Sequence, residues 1–293
     1  MLMDKTTLYS FYFFSLFLIS TLLFSSCTAF EGEQTIPAYI HIDTILLTPN
    51  PDVQGSNSNK ITDAWVYIDD ELVGTFEMPC TFPVLKTGKH NIKVLAGIKM
   101  NGIASTRVYY PYYKAYTTDI TLTEEETDTL RPIVSYYPST KFVWIEDFEN
   151  GGSSFERTSR SDTILEVTTN PSLVFEGDYS GAIYLGDSAL IFEVSSLEGF
   201  VLPKTQPVFL ELNYKTNNYL TVGILGNTPG QVVQTSVMVL NHTSKWNKVY
   251  INLTADIGQI SDASDFKIFI GMLREEGVEH PEAFIDNIKL VTF

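Results

Sequence analysis

The sequence predicts an all-β protein made of two consecutive β-sandwiches, a small one followed by a larger one. Three observations carry that expectation. Segments beyond Glu33 alternate apolar and polar residues with the period of a half-buried strand, clusters of Gly, Pro, Asn and Asp separate them, and no long helical period appears after the leader. With 44% hydrophobic and 18% charged residues in 293, the chain has ample material for a core, and its length suggests two domains rather than one.

The first element is not part of the fold. From Thr6 to Ser26 there is no charge, Lys5 is the only cation ahead of the apolar stretch, and Phe, Leu and Ile fill Phe11 to Phe24. An uncharged run of this length approaches the ~20 apolar residues needed to cross a bilayer. Ser10, Ser15, Ser20 and Thr21 dilute it, no basic cluster follows, and small residues precede Cys27, which is the pattern of a cleaved signal peptide. Leu23-Phe24-Ser25-Ser26-Cys27 resembles a bacterial lipobox, with Phe24 where that pattern prefers Leu. The resemblance implies a signal peptide over 1–26, a lipidated Cys27 and a tether over 27–35. Acyl chains then hold the protein to the outer membrane by burying methylenes at ~0.8 kcal/mol each. Thr28 to Glu33 resembles a loose form of the acidic tag of surface-exposed Bacteroidota lipoproteins, so the cell-surface face is favoured over the periplasmic one.

Residues 1–26 contain one acid, Asp4, and one base, Lys5, so their removal leaves the net charge at −16. Such a chain repels nucleic acid and anionic lipid surfaces, so neither is expected as a direct partner. With Cys27 lipidated, Cys80 has no cysteine to pair with. It reads as a small buried residue, because no base stands near it to make it a nucleophile.

The first sandwich is expected over 36–138. Ile36 to Leu47 alternates as a strand, Pro49 to Asn59 is rich in turn formers and reads as a loop, and Ala64–Ile68 leads through an acidic turn at Asp69-Asp70-Glu71 into a return along Leu72–Phe76. Phe82–Leu85 and Gly88–Val94 repeat the plan of strand, turn and strand. This order, with "VYIDDELVG" and "GKHNIKV", resembles the small PEGA-like and immunoglobulin-like sandwiches over Ile61 to Ala96, and implies fold more than function.

Gly97 to Leu122 holds five tyrosines, Tyr109, Tyr110, Tyr112, Tyr113 and Tyr116. Exposed, such a cluster is an interface or a sugar platform, because tyrosine buries area at low entropic cost and keeps a hydroxyl. The competing expectation is that about half of them line a strand core, alternate strand residues being buried. The acidic run Glu124–Glu126 with Pro132 and Pro138 suits a boundary near Pro138, although Ile133–Tyr137 could form a last short strand.

The second sandwich is expected over 139–293, with strands at Phe209–Lys215, Leu220–Leu225, Val237–Leu240, Trp246–Leu253 and Phe266–Ile270. The pieces "EDFEN", "WNKVYINL" and "FIDNIKLV" resemble the jelly-roll β-sandwich of carbohydrate-binding modules and related adhesive domains.

In the last strand Phe284, Asp286, Ile288 and Leu290 share one parity, which aims Asp286 at the core, where an unpaired carboxylate is expensive. The jelly-roll resemblance implies a structural calcium as its partner, held by Asp286 with Glu149, Glu146 or Asp147. The alternative is that Asp286 accepts backbone N–H bonds at a strand end. No other cofactor is implied.

Catalysis finds little support. His41, His90, His242 and His280 lack metal-ligand spacing, and there is no Gly-x-Ser-x-Gly, no phosphate-binding glycine loop and no His-Glu-x-x-His. Carboxylate pairs arise by chance in so acidic a chain, so a non-catalytic protein is expected. Two roles fit. The first is an accessory subunit of an envelope assembly for secretion, outer-membrane insertion or nutrient uptake, its partners unidentified outer-membrane subunits. The second is a glycan-binding lipoprotein, with Trp144 and Trp246 as candidate sugar contacts, although Trp246 opens an apolar strand where burial is the simpler expectation.

Overall fold

The computed structural model describes residues 36–293, together with Tyr9 and residues 13–15, which are helical. Cys27 and its flanking residues lie outside the described residues, as do the signal peptide and tether as units. Among the described residues no helix is long and apolar enough to cross a membrane.

The chain is all-β, as the alternation predicts. In the first sandwich β1 (Ala38–Ile42) buries Ala38, Ile40 and Ile42 and turns Tyr39 and His41 outward. It lies between β5 (Cys80–Val84), antiparallel to it, and β9 (Thr127–Leu130), parallel to it. Beyond a kink, β2 (Leu46–Leu47) pairs in parallel with β10 (Ile133–Val134). The second sheet runs β4 (Glu71–Glu77), β3 (Asp63–Ile68), β6 (Gly88–Lys99), with β7 (Arg107–Tyr109) and β8 (Tyr116–Leu122) sharing the far edge of β6.

The acidic turn between β3 and β4 is two residues long. Asp69 and Asp70 both have positive φ, 54° and 65°, which gives the connection a twist matching the flanking strands. The segment expected as a loop after Pro49 contains one short helix, α1 (Pro51–Gln54), with Pro51 in its first turn and Asn50 accepting the Asp52 N–H as cap.

The second sandwich packs two antiparallel sheets face to face. One sheet runs β13 (Glu166–Thr168), β14 (Ser180–Tyr184), β21 (Glu282–Thr292), β16 (Phe209–Thr216), β19 (Thr243–Asn252), with β11 (Lys141–Glu146) beside the later half of β21. The other runs β12 (Phe155–Arg157), β15 (Ile191–Ser196), β20 (Asp265–Leu273), β17 (Leu220–Thr228), β18 (Gln231–Leu240). A second short helix, α2 (Thr254–Gln259), follows β19 and packs Ile257 into the core. The strand expected at Val237–Leu240 is the end of a longer one that begins at Gln231.

The parity of the last strand is where the sequence expectation fails. Glu211 lies opposite Lys289 while Asn213 lies opposite Asp286, so β21 carries one residue more than β16 between these pairs. That extra residue is a β-bulge at Asn287, whose φ is 48°. After the bulge Ile288 and Leu290 enter the core between the sheets. Before it Phe284 and Asp286 lie on the opposite, outer face. Asp286 therefore does not point into the sandwich core.

Candidate functional site

The outer faces of the two sheets of the second sandwich have different fates. The first domain caps one end of the β21-containing sheet, and the other end opens on a cleft of about 400 Å³ that includes Lys215, His242 and Phe284. On the outer face of this sheet Phe209, Tyr250 and Val291 join the hydrophobic cluster of the small sandwich, together with Tyr110, Tyr112, Tyr113 and Tyr136. The Tyr110 hydroxyl donates to Glu211 Oε1 at 2.8 Å and the Tyr136 hydroxyl to the same oxygen at 3.0 Å. Tyr112 donates to the Val291 carbonyl at 3.1 Å, and the Tyr113 and Tyr250 hydroxyls meet at 3.3 Å. Lys248 Nζ faces the other Glu211 oxygen at 3.2 Å, off the line of a hydrogen bond.

Lys289 completes this buried cluster. Its ammonium donates to the Ser56 carbonyl and lies 5.6 Å from the centre of the Tyr136 ring. Burial holds it down to about 8, opposed by the attraction of Glu211. Burial likewise pushes the Tyr110, Tyr113 and Tyr136 hydroxyls well above the ordinary tyrosine range.

The expectation of a tyrosine docking surface is thereby corrected. Tyr110, Tyr112 and Tyr113 are 1%, 0% and 3% exposed and are consumed by the junction between the domains, so no separate partner can reach them. Tyr109 remains exposed, its ring edge-on to Trp65, and Tyr116 is half-buried at the start of β8.

Asp286 and Glu149 line one cleft of about 610 Å³ at the junction, with Asp147 and Glu176 beside them and Gly55 to Asn57 of the first domain opposite. The donors they use belong to the protein. Asp286 accepts the Ser180 hydroxyl at 2.6 Å and the Asn287 N–H at 2.7 Å, and Glu149 accepts the Asp178 and Tyr179 N–H groups. Glu146 is buried and receives the Phe148 N–H and the Ser154 hydroxyl. Among the described residues no three His, Cys, Asp or Glu side chains converge as metal ligands. These residues therefore do not fit a calcium site. Burial pushes the Asp286 carboxyl up to about 7, with Glu176 and Glu149 adding to the rise and the two hydrogen bonds opposing it.

Neither tryptophan proposed for sugar contact presents a free ring. Trp144 is 9% exposed, stacked on Phe200 and edge-on to Phe155 inside the sandwich. Trp246 stands on the outer face of the capped sheet, half-buried under Phe175 at 5.3 Å between ring centres.

The β20-containing sheet has the free outer face. Phe192, Val194, Ile268, Ile270, Val222 and Ile224 point into the core, so Glu193, Ser195, Lys267, Phe269, Gly271, Thr221, Gly223 and Leu225 point out. Phe269 lies over Gly223, where a Cβ would come 2.4 Å from the ring, and is buried although it belongs to the outer face. A polar bridge crosses beside it. Glu193 accepts from Thr158 and from Gln234, each at 2.8 Å, while Arg160 donates to Gln234 at 2.8 Å.

At one end of this face is a groove of about 480 Å³ lined by Glu156, Arg157, Thr158, Asn227, Asp265 and Lys267, with Leu225 and Val232 as apolar floor. Lys267 pairs with Glu156, and Asn227 donates to Asp265 at 3.1 Å, so the wall offers both donors and acceptors in fixed positions. At the other end, just before β17, Tyr219 is 45% exposed. Its backbone N–H is tied to Glu275 and its ring leans on His242 at 4.8 Å, which holds the exposed ring in place.

Tryptophans do not mark this face. A signal was present. Tyr219, Thr221 and Gly223 share a parity opposite to Leu220, Val222 and Ile224, so small residues follow one aromatic on a face that the core does not need.

No family model matches the chain, and no curated protein matches it. Among solved structures, similarity extends to the carbohydrate-binding module TmCBM61 in complex with β-1,4-galactotriose. That match has 18% identity and a TM-score of 0.33, over 50% of this chain and 93% of that one. A second match is the C-terminal family 22 carbohydrate-binding module of Clostridium thermocellum Xyn10B. It has 10% identity and a TM-score of 0.36, over 52% of this chain and 92% of that one. A third is the K3 adhesin domain of Lys-gingipain from Porphyromonas gingivalis, at 11% identity and a TM-score of 0.35, over 52% of this chain and 99% of that one.

Proposed function

We propose that the protein is a non-catalytic, lipid-anchored binding protein of the bacterial outer membrane whose second sandwich binds glycan on its free sheet. The observation that carries this reading is the division of labour between the two outer faces. One is covered by the first domain where Phe209, Tyr250 and Val291 meet its buried tyrosines, while the other keeps a polar groove at one end and an oriented, exposed Tyr219 at the other. Sugar rings are recognised by hydrogen-bonding side chains set around an apolar surface, and this face supplies both kinds of contact. The lipid on Cys27 supplies the anchor.

Affinity electrophoresis through gels containing a panel of soluble polysaccharides tests the reading. Retardation by at least one polysaccharide, weakened about tenfold in Tyr219→Ala, is the expected result. Unchanged mobility across the panel would overturn it.

A second reading rests on a different observation. Leu46 and Ile133 are paired neighbours on the outer side of the two-stranded sheet and are 54% and 56% exposed. An exposed apolar pair of this kind suits docking against another subunit of an envelope assembly. Co-purification of a stoichiometric outer-membrane partner from native membranes, lost in Leu46→Asp, would favour it.

A further inference from the structure

A sheet edge presents unpaired backbone donors and acceptors, and proteins defend such edges with charge, proline, shortness or a covering segment. Nearly every edge strand in this protein is defended. β5 carries Pro83, β4 is flanked by Glu71 and Glu77, and β9 is four residues long with Asp128 at its centre. β12 and β13 have three residues each and bear Glu156, Arg157 and Glu166. β19 carries Lys245 and Lys248 and is met by the first domain, where Met100 bridges to Tyr250.

β18 departs from this pattern. It is ten residues long, Gln-Val-Val-Gln-Thr-Ser-Val-Met-Val-Leu, with no charge, proline or glycine in a chain of net charge −16. Among the described residues β17 is its only paired strand. A bulge at Val237, where Val222 faces Met238 but Gly223 faces Ser236, leaves Gln231–Ser236 as a regular run open on one side.

We infer that β18 is a self-association edge at which a second copy of this chain adds its own β18 in antiparallel pairing. The partner's identity follows from the strand's chemistry. A neutral edge has no charge with which to select a foreign strand, whereas a twofold antiparallel pairing through Val233 or Gln234 matches the run with itself. In that register the facing Val, Gln, Thr and Ser side chains are all neutral, and the Arg160 guanidinium that donates to Gln234 is paired with Glu193, so the remaining repulsion is between the bodies of the two copies. That repulsion is screened beyond ~8 Å at physiological ionic strength. The pairing joins two five-stranded sheets into one continuous sheet whose free faces, and with them both grooves, lie on the same side. Such an arrangement gives avidity toward a repetitive ligand, although the pairing itself does not depend on what the groove binds.

Native mass spectrometry of the full chain released from mild detergent, over a range of protein and salt concentrations, tests the inference. The expected result is a dimer that strengthens as salt is raised. Substituting Val232→Lys with Ser236→Lys puts like charges across the pairing on two exposed positions and is expected to weaken dimerisation at least tenfold. The neutral pair Val232→Thr with Ser236→Thr leaves it unchanged. Circular dichroism melts of both variants establish that they fold, and reduced hydrogen exchange at Gln231–Ser236 in the dimer locates the contact. A monomer at every concentration and salt would overturn the inference, as would a dimer that survives the double lysine substitution or weakens with salt.

Discussion

The Tyr110 hydroxyl and the Glu211 carboxylate meet at 2.8 Å across the junction between the domains, with both residues essentially removed from solvent. Glu211 is shared further, with Tyr136 on the same oxygen and Lys248 at 3.2 Å on the other, so one carboxylate ties three side chains from both sandwiches. Removing that charge leaves Lys248 buried without a counterion, whereas removing one tyrosine hydroxyl leaves the others in place. Glu211→Ala is therefore expected to cost ~3–5 kcal/mol and Tyr110→Phe ~1–2 kcal/mol. Urea unfolding is the measurement. The wild type should unfold in one transition and Glu211→Ala in two, and a single, barely shifted transition for Glu211→Ala would show that the junction does not couple the domains.

Period-two alternation made the strands legible because it reflects a local fact, that successive side chains face opposite sides. It therefore located β1, β3, β16 and the all-β class. The junction was not legible for the same reason. The pattern around Tyr110 to Tyr113 says that these residues seek burial and is silent about which surface buries them, and the covering surface is supplied by Phe209, Tyr250 and Val291, about 100 to 180 residues away. Asp286 failed in another way. One inserted residue at Asn287 reverses the parity of everything before it, and a bulge leaves only a left-handed backbone at an Asn as its trace.

Gly223 gives a test of the packing of Phe269 on the outer face of the β20-containing sheet. A Cβ there would lie 2.2 Å from the Thr235 carbonyl oxygen and 2.4 Å from the Phe269 ring, and the nearer atom belongs to the backbone and cannot swing aside. Gly223→Ala is expected to destabilise the protein by ~2–3 kcal/mol, as overpacking does. Relief of that loss by Phe269→Leu, measured as a double-mutant cycle in urea, would place the clash at the ring. Strictly additive effects would place it at the backbone contact alone.

Asp286 makes stability fall as pH rises through the neutral range. Its folded carboxyl titrates at about 7 against 3.8 for the free side chain, so the folded state holds the proton more tightly than the unfolded one. The stability it contributes is complete below about 4 and is lost as pH rises toward 7, when the buried group must ionise near Glu176 and Glu149. The exposed carboxyls of Asp69, Asp119 and Asp162, held low by hydrogen bonds, act in the opposite sense below about 4, so the two effects occupy different windows. Asp286→Asn keeps an acceptor for the Asn287 N–H without the charge. It is expected to be more stable than wild type by ~1–3 kcal/mol at pH 8 and no more stable at pH 4. Urea midpoints at both values decide it, and a gain that is equal at pH 4 and pH 8 would remove ionisation from the account.

The glycan reading separates three aromatic residues by exposure rather than by size. Trp144 is locked between Phe155 and Phe200, so Trp144→Ala should lower stability by ~3–5 kcal/mol through a core cavity. Trp246 shelters under Phe175 on the capped sheet, and its loss should leave binding intact wherever the protein remains folded. Tyr219 makes few contacts beyond His242 and is 45% exposed, so Tyr219→Ala should melt within ~0.5 kcal/mol of wild type while weakening polysaccharide retardation about tenfold. Lys267→Ala and Asn227→Ala, at the far end of the same face, should weaken it further if one chain of sugars spans both ends. Loss of binding in Trp246→Ala with full retention in Tyr219→Ala would instead move the site to the capped sheet, where the ring would first have to escape Phe175. The comparison thus measures which outer face is free to act, because a residue that binds must be able to leave water behind without abandoning a partner inside the fold.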